Sequence, residues 1–283
     1  MRLSLSEIST IGASFEQDVR AYAAAGFDAI GIWELKLPDD DAANRALLAE
    51  QGLEVANCVP TIPSFFPLGI PGMEGPDDLE ERIEALCASV RRLAGYAPES
   101  VVCLSGPLGG RPEPAARAHL VAGLRRVADA AREADVPLAF EPVHRSQRET
   151  VSFVNTIEDA FLILSEAGLD DVGLMLDLYH VWDDPAVWDT IARAAYRIAG
   201  VHVCDWPDDP ARTDRELPGH GSSRTQELVD ALVLSGFAGS LDVEIFGTED
   251  GFWGLPVEEA ARRAYAAVAA LTSPAGEAGY TAP

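Results

Sequence analysis

The feature that most constrains this chain is an alternation repeated eight times. Short β-rich runs are separated by longer stretches with helical spacing of apolar residues. The strand candidates are 2–6 (RLSLS), 29–33 (AIGIW), 54–58 (EVANC), 101–105 (VVCLS), 137–141 (PLAFE), 172–177 (VGLMLD), 201–204 (VHVC) and 241–246 (LDVEIF). Among the helical stretches, 14–27 opens on Ser14 as an N-cap, and 76–96 carries acids in its first turn and bases in its last. Stretches 113–134 and 257–271 repeat the pattern. Strands that alternate with helices pair in parallel through right-handed crossovers. Eight such units in 283 residues predict an α/β chain folded as a single (β/α)8 TIM barrel over residues 1–272, with 273–283 as a flexible C-terminal tail. An open doubly wound sheet is the alternative. The first strand-to-helix turn, SEISTIGASFE, has no G-x-G-x-x-G and gives a dinucleotide fold no support.

Charge narrows the partners. Lys and Arg number 21 against 46 Asp and Glu, a formal net charge of −25. Such a surface repels phosphate backbones and anionic lipid, so neither a nucleic-acid nor a membrane partner is expected. No run is long and apolar enough for a signal peptide or a bilayer span. Cys58, Cys87, Cys103 and Cys204 are widely spaced with no C-x-x-C pair, as expected of a reduced, cytoplasmic protein. The segment 59–76, VPTIPSFFPLGIPGMEGP, has no periodicity and is rich in Pro and Gly. Phe65, Phe66 and Leu68 are too apolar for a free surface. The segment is therefore expected to be either a lid over the barrel mouth that selects substrate through Phe65 and Phe66, or an oligomer contact.

The strand candidate PLAFE ends on a carboxylate, Glu141, followed by PVHR. A lone buried carboxylate is costly and normally has a partner or a metal. The pattern recurs: VGLMLD ends on Asp177, VHVCD carries His202 and LDVE carries Glu244. These are one side chain from each of the last four strands, and in a barrel the C-terminal strand ends converge. Three carboxylates and an imidazole suit Mn²⁺, Mg²⁺, Co²⁺ or Zn²⁺. His144 and His180, each three residues past a ligand candidate, are either general bases or loop residues bonded to backbone. His119 falls inside a helical pattern, and His220 in a turn before a helix that Ser222 or Ser223 is expected to cap. Trp33, Phe65, Phe66, Trp182, Trp206 and Trp253 follow strands, which suggests a larger or partly apolar substrate unless they only pack loops together. Glu34 and Lys36 are candidate polar contacts at the same mouth.

The segments FEPVHR, DLYHVWDDP, VHVCDW, RELPGHG and LDVEIFG resemble motifs of the xylose-isomerase-like barrels, the sugar phosphate isomerases and epimerases. The similarity extends over nearly the whole chain. The subgroup with E-P-L-H-P, D-x-Y-H-V-W-W-D-P, H-V-C-D-W, R-x-x-x-G-D-G and E-V-E-I-F resembles the large subunit of C-glycoside deglycosidases. The chain departs from that pattern at Arg145, in place of proline, and at Asp183, in place of a second tryptophan. The resemblance implies Glu141, Asp177, His202 and Glu244 as metal ligands, with Mn²⁺ the first choice. It implies His180 and an arginine, Arg215 or else Arg212, as substrate contacts, and the places of Trp33, Glu34, Phe65, Phe66 and Trp182 after strands make those residues further candidates. The activity expected is a divalent-metal-dependent keto-sugar isomerase or epimerase, with a metal-stabilised enediolate and Glu141 and Glu244 as the acid–base pair. The alternative is a lyase, the large subunit of a 3-oxo-C-glycoside deglycosidase, with His144 as the base. An endonuclease of the same superfamily ranks third, since it needs a basic face, and a non-catalytic binding barrel last, since all four ligand positions are filled. A homo-oligomer is expected, or, for the lyase, a hetero-oligomer with a small β-rich subunit.

Overall fold

In the computed structural model, which describes residues 1–70, 73–209, 212 and 214–272, eight strands close into a parallel barrel in chain order. They are β1 (Arg2–Ser6), β2 (Ala29–Trp33), β3 (Glu54–Val59), β4 (Ser100–Cys103), β5 (Leu138–Phe140), β6 (Gly173–Asp177), β7 (Ile198–Val203) and β8 (Ser240–Val243). The expected tail, 273–283, lies outside the described residues. No described helix is long and apolar enough to cross a membrane.

The helices form an outer layer: α1 (Phe15–Ala25), α2 (Asp41–Gln51), α3 (Leu79–Leu93), α4 (Glu113–Glu133), α5 (Ile157–Ala167), the single turn α6 (Leu178–Val181), α7 (Val187–Ala194), α8 (Thr225–Ser235) and α9 (Val257–Thr272). Ser14 caps α1 in a reciprocal box with Gln17. Asp78 caps α3 through the backbone N–H groups of Glu80 and Glu81. The cap expected at α8 is absent. Its N-cap residue is Arg224, and the Ser223 hydroxyl is drawn instead to Asp205 and Thr225.

The core has two parts. A large apolar layer lies between strands and helices, and a smaller cluster inside the barrel joins Ile8, Trp33, Val59, Val102, Ala139 and Met175. Phe65 and Phe66 belong to the outer layer and are fully buried. Phe65 packs so tightly against α4 that a Cβ at Gly123 would stand 2.7 Å from its ring. Phe66 lies beside His119 and Phe153. The expectation that these two rings form a lid over the mouth is therefore corrected: the segment turns them inward and secures itself to α4.

All four cysteines are buried and unpaired.

Candidate active site and metal centre

Strand register assembles the site. Asp177 on β6 pairs with His202 on β7, and His202 pairs with Asp242 on β8. Aligned residues of parallel strands point to the same side, so all three side chains enter the barrel at one level. Glu141 and Glu244 lie one residue past β5 and β8, yet their N–H groups still bond the neighbouring strands, to Cys103 O (2.9 Å) and Val203 O (3.2 Å). The strand ends expected from sequence thus lie up to three residues too far along, but the side chains keep their alternation and reach the same floor.

Ligand atoms of Glu141, Asp177 and His202 all lie within 4.8 Å of one another. His202 Nδ1 is 3.6 Å from Glu244 Oε1. Both nitrogens of the His202 ring lack a hydrogen-bond partner although only 1% of the residue is exposed. A buried imidazole with two unpartnered nitrogens among three carboxylates is the donor set of a divalent-cation site, so these residues fit the expected metal.

Arg215 closes the fourth side. Its Nη1 donates to Asp177 Oδ2 and Glu244 Oε2, each at 2.9 Å. Its guanidinium lies between the Tyr179 and Phe246 rings, 4.4 and 4.7 Å from their centres. Arg212, the second candidate, lies half-exposed and pairs with Glu216. His180 Nε2 stands 3.5 Å from Asp177 Oδ2 and 4.0 Å from Glu141 Oε1.

Electrostatics separate these groups. Burial, with the like charges of Asp177 and Glu244, pushes Glu141 up to about 8 against the pull of His202 and Arg215. Burial acts on Asp177 in the same sense, but Arg215, His180 and His202 outweigh it and hold Asp177 at about 2. Burial, helped by Arg215, brings His180 down to about 3, so its imidazole is neutral. His202 moves upward, because Glu244, Asp242 and Glu141 overcome its burial.

Glu141, His180, His202, Arg215 and Glu244 floor a cavity of about 780 Å³, with Asp177 buried behind them. Its upper walls are mostly apolar, with Trp33, Leu68, Ile70, Met73, Leu104, Val151 and Phe246, and Gln147 and Thr150 add polar atoms on the side of the β5 connection. Several candidates stand off that wall. Glu34 accepts from the Thr61 N–H at 2.9 Å and lies 3.5 Å from Arg92. Lys36 is buried on Asp18 and on the Glu7 and Thr10 carbonyls. Trp182 packs 6.1 Å from Trp206. His144 lies edge-on to Trp206, with Nδ1 2.8 Å from Ser146 Oγ and Nε2 3.5 Å from Asp183. The two departures from the subgroup pattern meet here, since Arg145 donates to Asp183 at 2.6 Å.

A family model described as xylose isomerase-like TIM barrel matches residues 19–271. The chain belongs to this family. Over 146 residues it is 29% identical to an inosose isomerase of Halalkalibacterium halodurans, which is 50% of each protein. Over 143 residues it is 29% identical to a D-psicose 3-epimerase of Enterocloster bolteae, 50% of this chain and 44% of that one. A 3-dehydroshikimate dehydratase of Pseudomonas aeruginosa is 26% identical over 90% of this chain and 39% of its own. The chain spans about half the length of the curated relatives it matches. Among solved structures, the Sinorhizobium meliloti protein SMc04130 superposes with a TM-score of 0.82 at 28% identity, over 95% of this chain and 98% of that one. The IOLI protein, solved with a bound zinc atom, shares the fold at a TM-score of 0.79 and 24% identity, over 96% and 98%.

Sequence reasoning missed four residues. Tyr179 and Phe246, inside quoted motifs, hold Arg215. Asp242 lies two before Glu244, and that i, i+2 spacing on one strand was the available signal. Arg82, buried in α3, has no sequence signal beyond a charged residue on an otherwise apolar helix face.

Proposed function

We propose that this chain is a divalent-metal-dependent isomerase or epimerase of keto-sugars or related hydroxy-carbonyl compounds. The observation that carries it is the floor of the cavity, where an unpartnered His202 stands among Glu141, Asp177 and Glu244. The relatives named inosose isomerase and D-psicose 3-epimerase support the same activity, each along half of the chain.

Glu141, Asp177, His202 and Glu244 would hold the cation, with Mn²⁺ the first choice and Mg²⁺, Co²⁺ or Zn²⁺ the alternatives. A bound cation supplies positive charge where a carbonyl-derived oxyanion develops. The chain's own groups do the rest. Glu141, whose carboxyl burial pushes up to about 8, is the more basic of the two carboxylates and the one suited to take a proton, while Asp177 stays ionised. Glu141 and Glu244 approach from β5 and β8, with β6 and β7 between them. One carboxylate removes the proton α to the carbonyl and the other returns a proton. Return to the opposite face of the same carbon epimerises; return to the former carbonyl carbon isomerises, with the hydroxyl proton of the first carbon passing to the former carbonyl oxygen as the new carbonyl forms. Arg215, fixed between two rings, donates to substrate oxygens, and neutral His180 accepts or donates one hydrogen bond without adding charge. The apolar walls exclude water from the developing charge.

A lyase acting on a 3-oxo-C-glycoside is the second reading. The apolar walls favour it, because they suit an aromatic aglycone. The position of His144, turned to Ser146 and Asp183 off the cavity wall, favours the isomerase. Neither reading calls for a nucleic-acid or membrane partner. We infer a reduced, cytoplasmic homo-oligomer for the first and a hetero-oligomer with a small β-rich subunit for the second.

The test is hydrogen–deuterium exchange at the α-carbon of a ketose panel in D₂O with Mn²⁺, beside release of aglycone from 3-oxo-C-glycosides. Exchange that survives His144→Ala with about a tenfold loss, but disappears in Glu244→Gln, is expected; a general base would lose roughly 10²–10⁴. No exchange on any ketose, with aglycone release that needs His144, would replace the isomerase by the lyase.

A further inference from the structure

His202 faces two different carboxylates with its two ring nitrogens. Nδ1 looks toward Glu244 and the cavity floor, at 3.6 Å. Nε2 looks the other way, deeper into the barrel, at 3.7 Å from Oδ2 of Asp242. Asp242 is fully buried, is not one of the grouped ligand residues and does not line the cavity. Its Oδ2 accepts from Asn57 Nδ2 at 2.7 Å, and its Oδ1 has no partner.

The strands around this carboxylate make room for it. Register places Ser4 of β1 and His202 of β7 on either side of Asp242. On β2 the facing residue is Gly31, where a Cβ would stand 2.1 Å from Asp242 Oδ2. No real side chain tolerates that approach, so glycine is required there by Asp242 and not by a turn. The chain thus carries a buried acid, an amide that orients it and a glycine that admits it, all behind the ring of His202.

Imidazole ligates a cation only as the neutral ring, and its second nitrogen then bears the proton. That N–H, buried without an acceptor, is destabilising. Among the described residues the acid paired with Nε2 is Asp242, at 3.7 Å, a gap longer than a hydrogen bond that must shorten for the ring to donate. We propose that Asp242 is a positioning residue for the metal centre: it takes the Nε2–H of His202, so that the Nδ1 lone pair is held toward the cation. The inference rests on His202 being a ligand, as argued above, and extends it to a residue that touches neither cation nor substrate.

The test measures the cation rather than turnover. Protein stripped with chelator is titrated with Mn²⁺ by calorimetry, as wild type and as Asp242→Asn, which keeps the shape and removes the charge. The zinc-loaded wild type is then read by ¹H–¹⁵N NMR for the His202 tautomer. The expected results are one cation per chain, affinity about 10- to 100-fold weaker in Asp242→Asn, and a hydrogen-bonded Nε2–H in the wild type. Wild-type affinity in a folded Asp242→Asn would overturn the proposal, as would a zinc-loaded His202 protonated at Nδ1. The NMR arm needs no variant, so it decides the matter even where Asp242→Asn folds poorly. A wild type that binds no cation sinks both this inference and the metal-centre reading. A wild type that binds cation through Nδ1 while exchanging no ketose proton upholds this inference and removes only the isomerase.

Discussion

Replacing Arg82 by methionine should loosen one wall of the cavity without touching its floor. Arg82 lies in α3, fully buried, and no carboxylate among the described residues is hydrogen-bonded to it. Its guanidinium donates instead to the segment after β3: to Ser64 O at 3.2 Å, Ser64 Oγ at 2.8 Å, Phe66 O at 3.2 Å and Pro76 O at 2.8 Å, and also to Glu74 O. Between those anchors stand Leu68, Gly69, Ile70 and Met73, which line the cavity. Each bond to a charged donor contributes about 1.5–3 kcal/mol, but a buried guanidinium carries a desolvation cost of several kcal/mol that methionine lacks. Burial lowers the guanidinium to about 10, the sign of that cost. Glu74 is exposed and Pro76 half-buried, so water replaces the donor at those carbonyls. Ser64 is buried, and its carbonyl left unpaired costs about 1–3 kcal/mol, whereas Phe66 O keeps the Ser64 Oγ–H donor at 2.8 Å. The net loss is then about 1–3 kcal/mol, or roughly 2–10 °C in melting temperature for a chain of this size. Calorimetry reads the stability. Limited proteolysis with mass spectrometry should find new cuts between Leu68 and Asp78. KM for an accepted substrate should rise about tenfold or more, the effect of losing some 1.4 kcal/mol of binding, with kcat changed less. Unchanged melting and an uncut segment would refute the reasoning, and would mean that Phe65 and Phe66 alone hold the segment.

Asp177→Asn and Glu244→Gln should each lose most of the bound divalent metal by elemental analysis, and full occupancy in both would remove the site. Chelation should abolish turnover while far-UV circular dichroism stays unchanged at room temperature, because the barrel core stands without the cation. Cation uptake should release protons: near pH 6.5 about one from Glu141, whose buried carboxyl reaches about 8, and a further fraction from His202, so apparent affinity rises with pH up to about 8. By the same sign, the stability that protonated Glu141 gives the metal-free chain is whole below its ordinary value of 4.5 and is lost as pH rises through about 8. Calorimetry in buffers of different ionisation heat measures the release, and none near pH 6.5 would contradict the raised Glu141.

The barrel and its floor were legible in the sequence for one physical reason. Strand ends carry a strict period of two and a fixed direction, so an acid closing an apolar run points where its neighbours point. Glu141, Asp177, His202 and Glu244 could be placed together from that alone. Phe65 and Phe66 could not. In a segment without periodicity nothing in the sequence says which way a ring turns, and here α4, with Gly123 opposite Phe65, offered a better-packed place than the mouth. Asp242 stood in the same strand as Glu244, but an inward acid below the mouth has meaning only beside Asn57 and Gly31, which come from β3 and β2. Arg82 is illegible for a related reason: its partners are carbonyl oxygens, which every sequence has.

The cavity therefore has two halves with different origins, and they should respond differently to change. The floor is built by residues in or next to the ladder of β5 to β8, where backbone bonds fix each side chain to within the register. On the proposed function, substitutions there should act on cation binding and proton transfer, and so on kcat. The upper walls come from the end of β2 and the connections after β3, β4, β5 and β8, through Trp33, Leu68, Leu104, Val151 and Phe246, and two of them have anchors away from the floor. Trp33 is held by its Nε1–H on Ser6 Oγ, and the segment after β3 by Arg82. Because those anchors are independent of the floor, one wall can be recut without disturbing the cation site. Arg215 joins the two halves: it is bonded to Asp177 and Glu244 below and held between Tyr179 and Phe246 at the level of the walls. Of all the cavity residues it is the one whose replacement should move both kcat and KM.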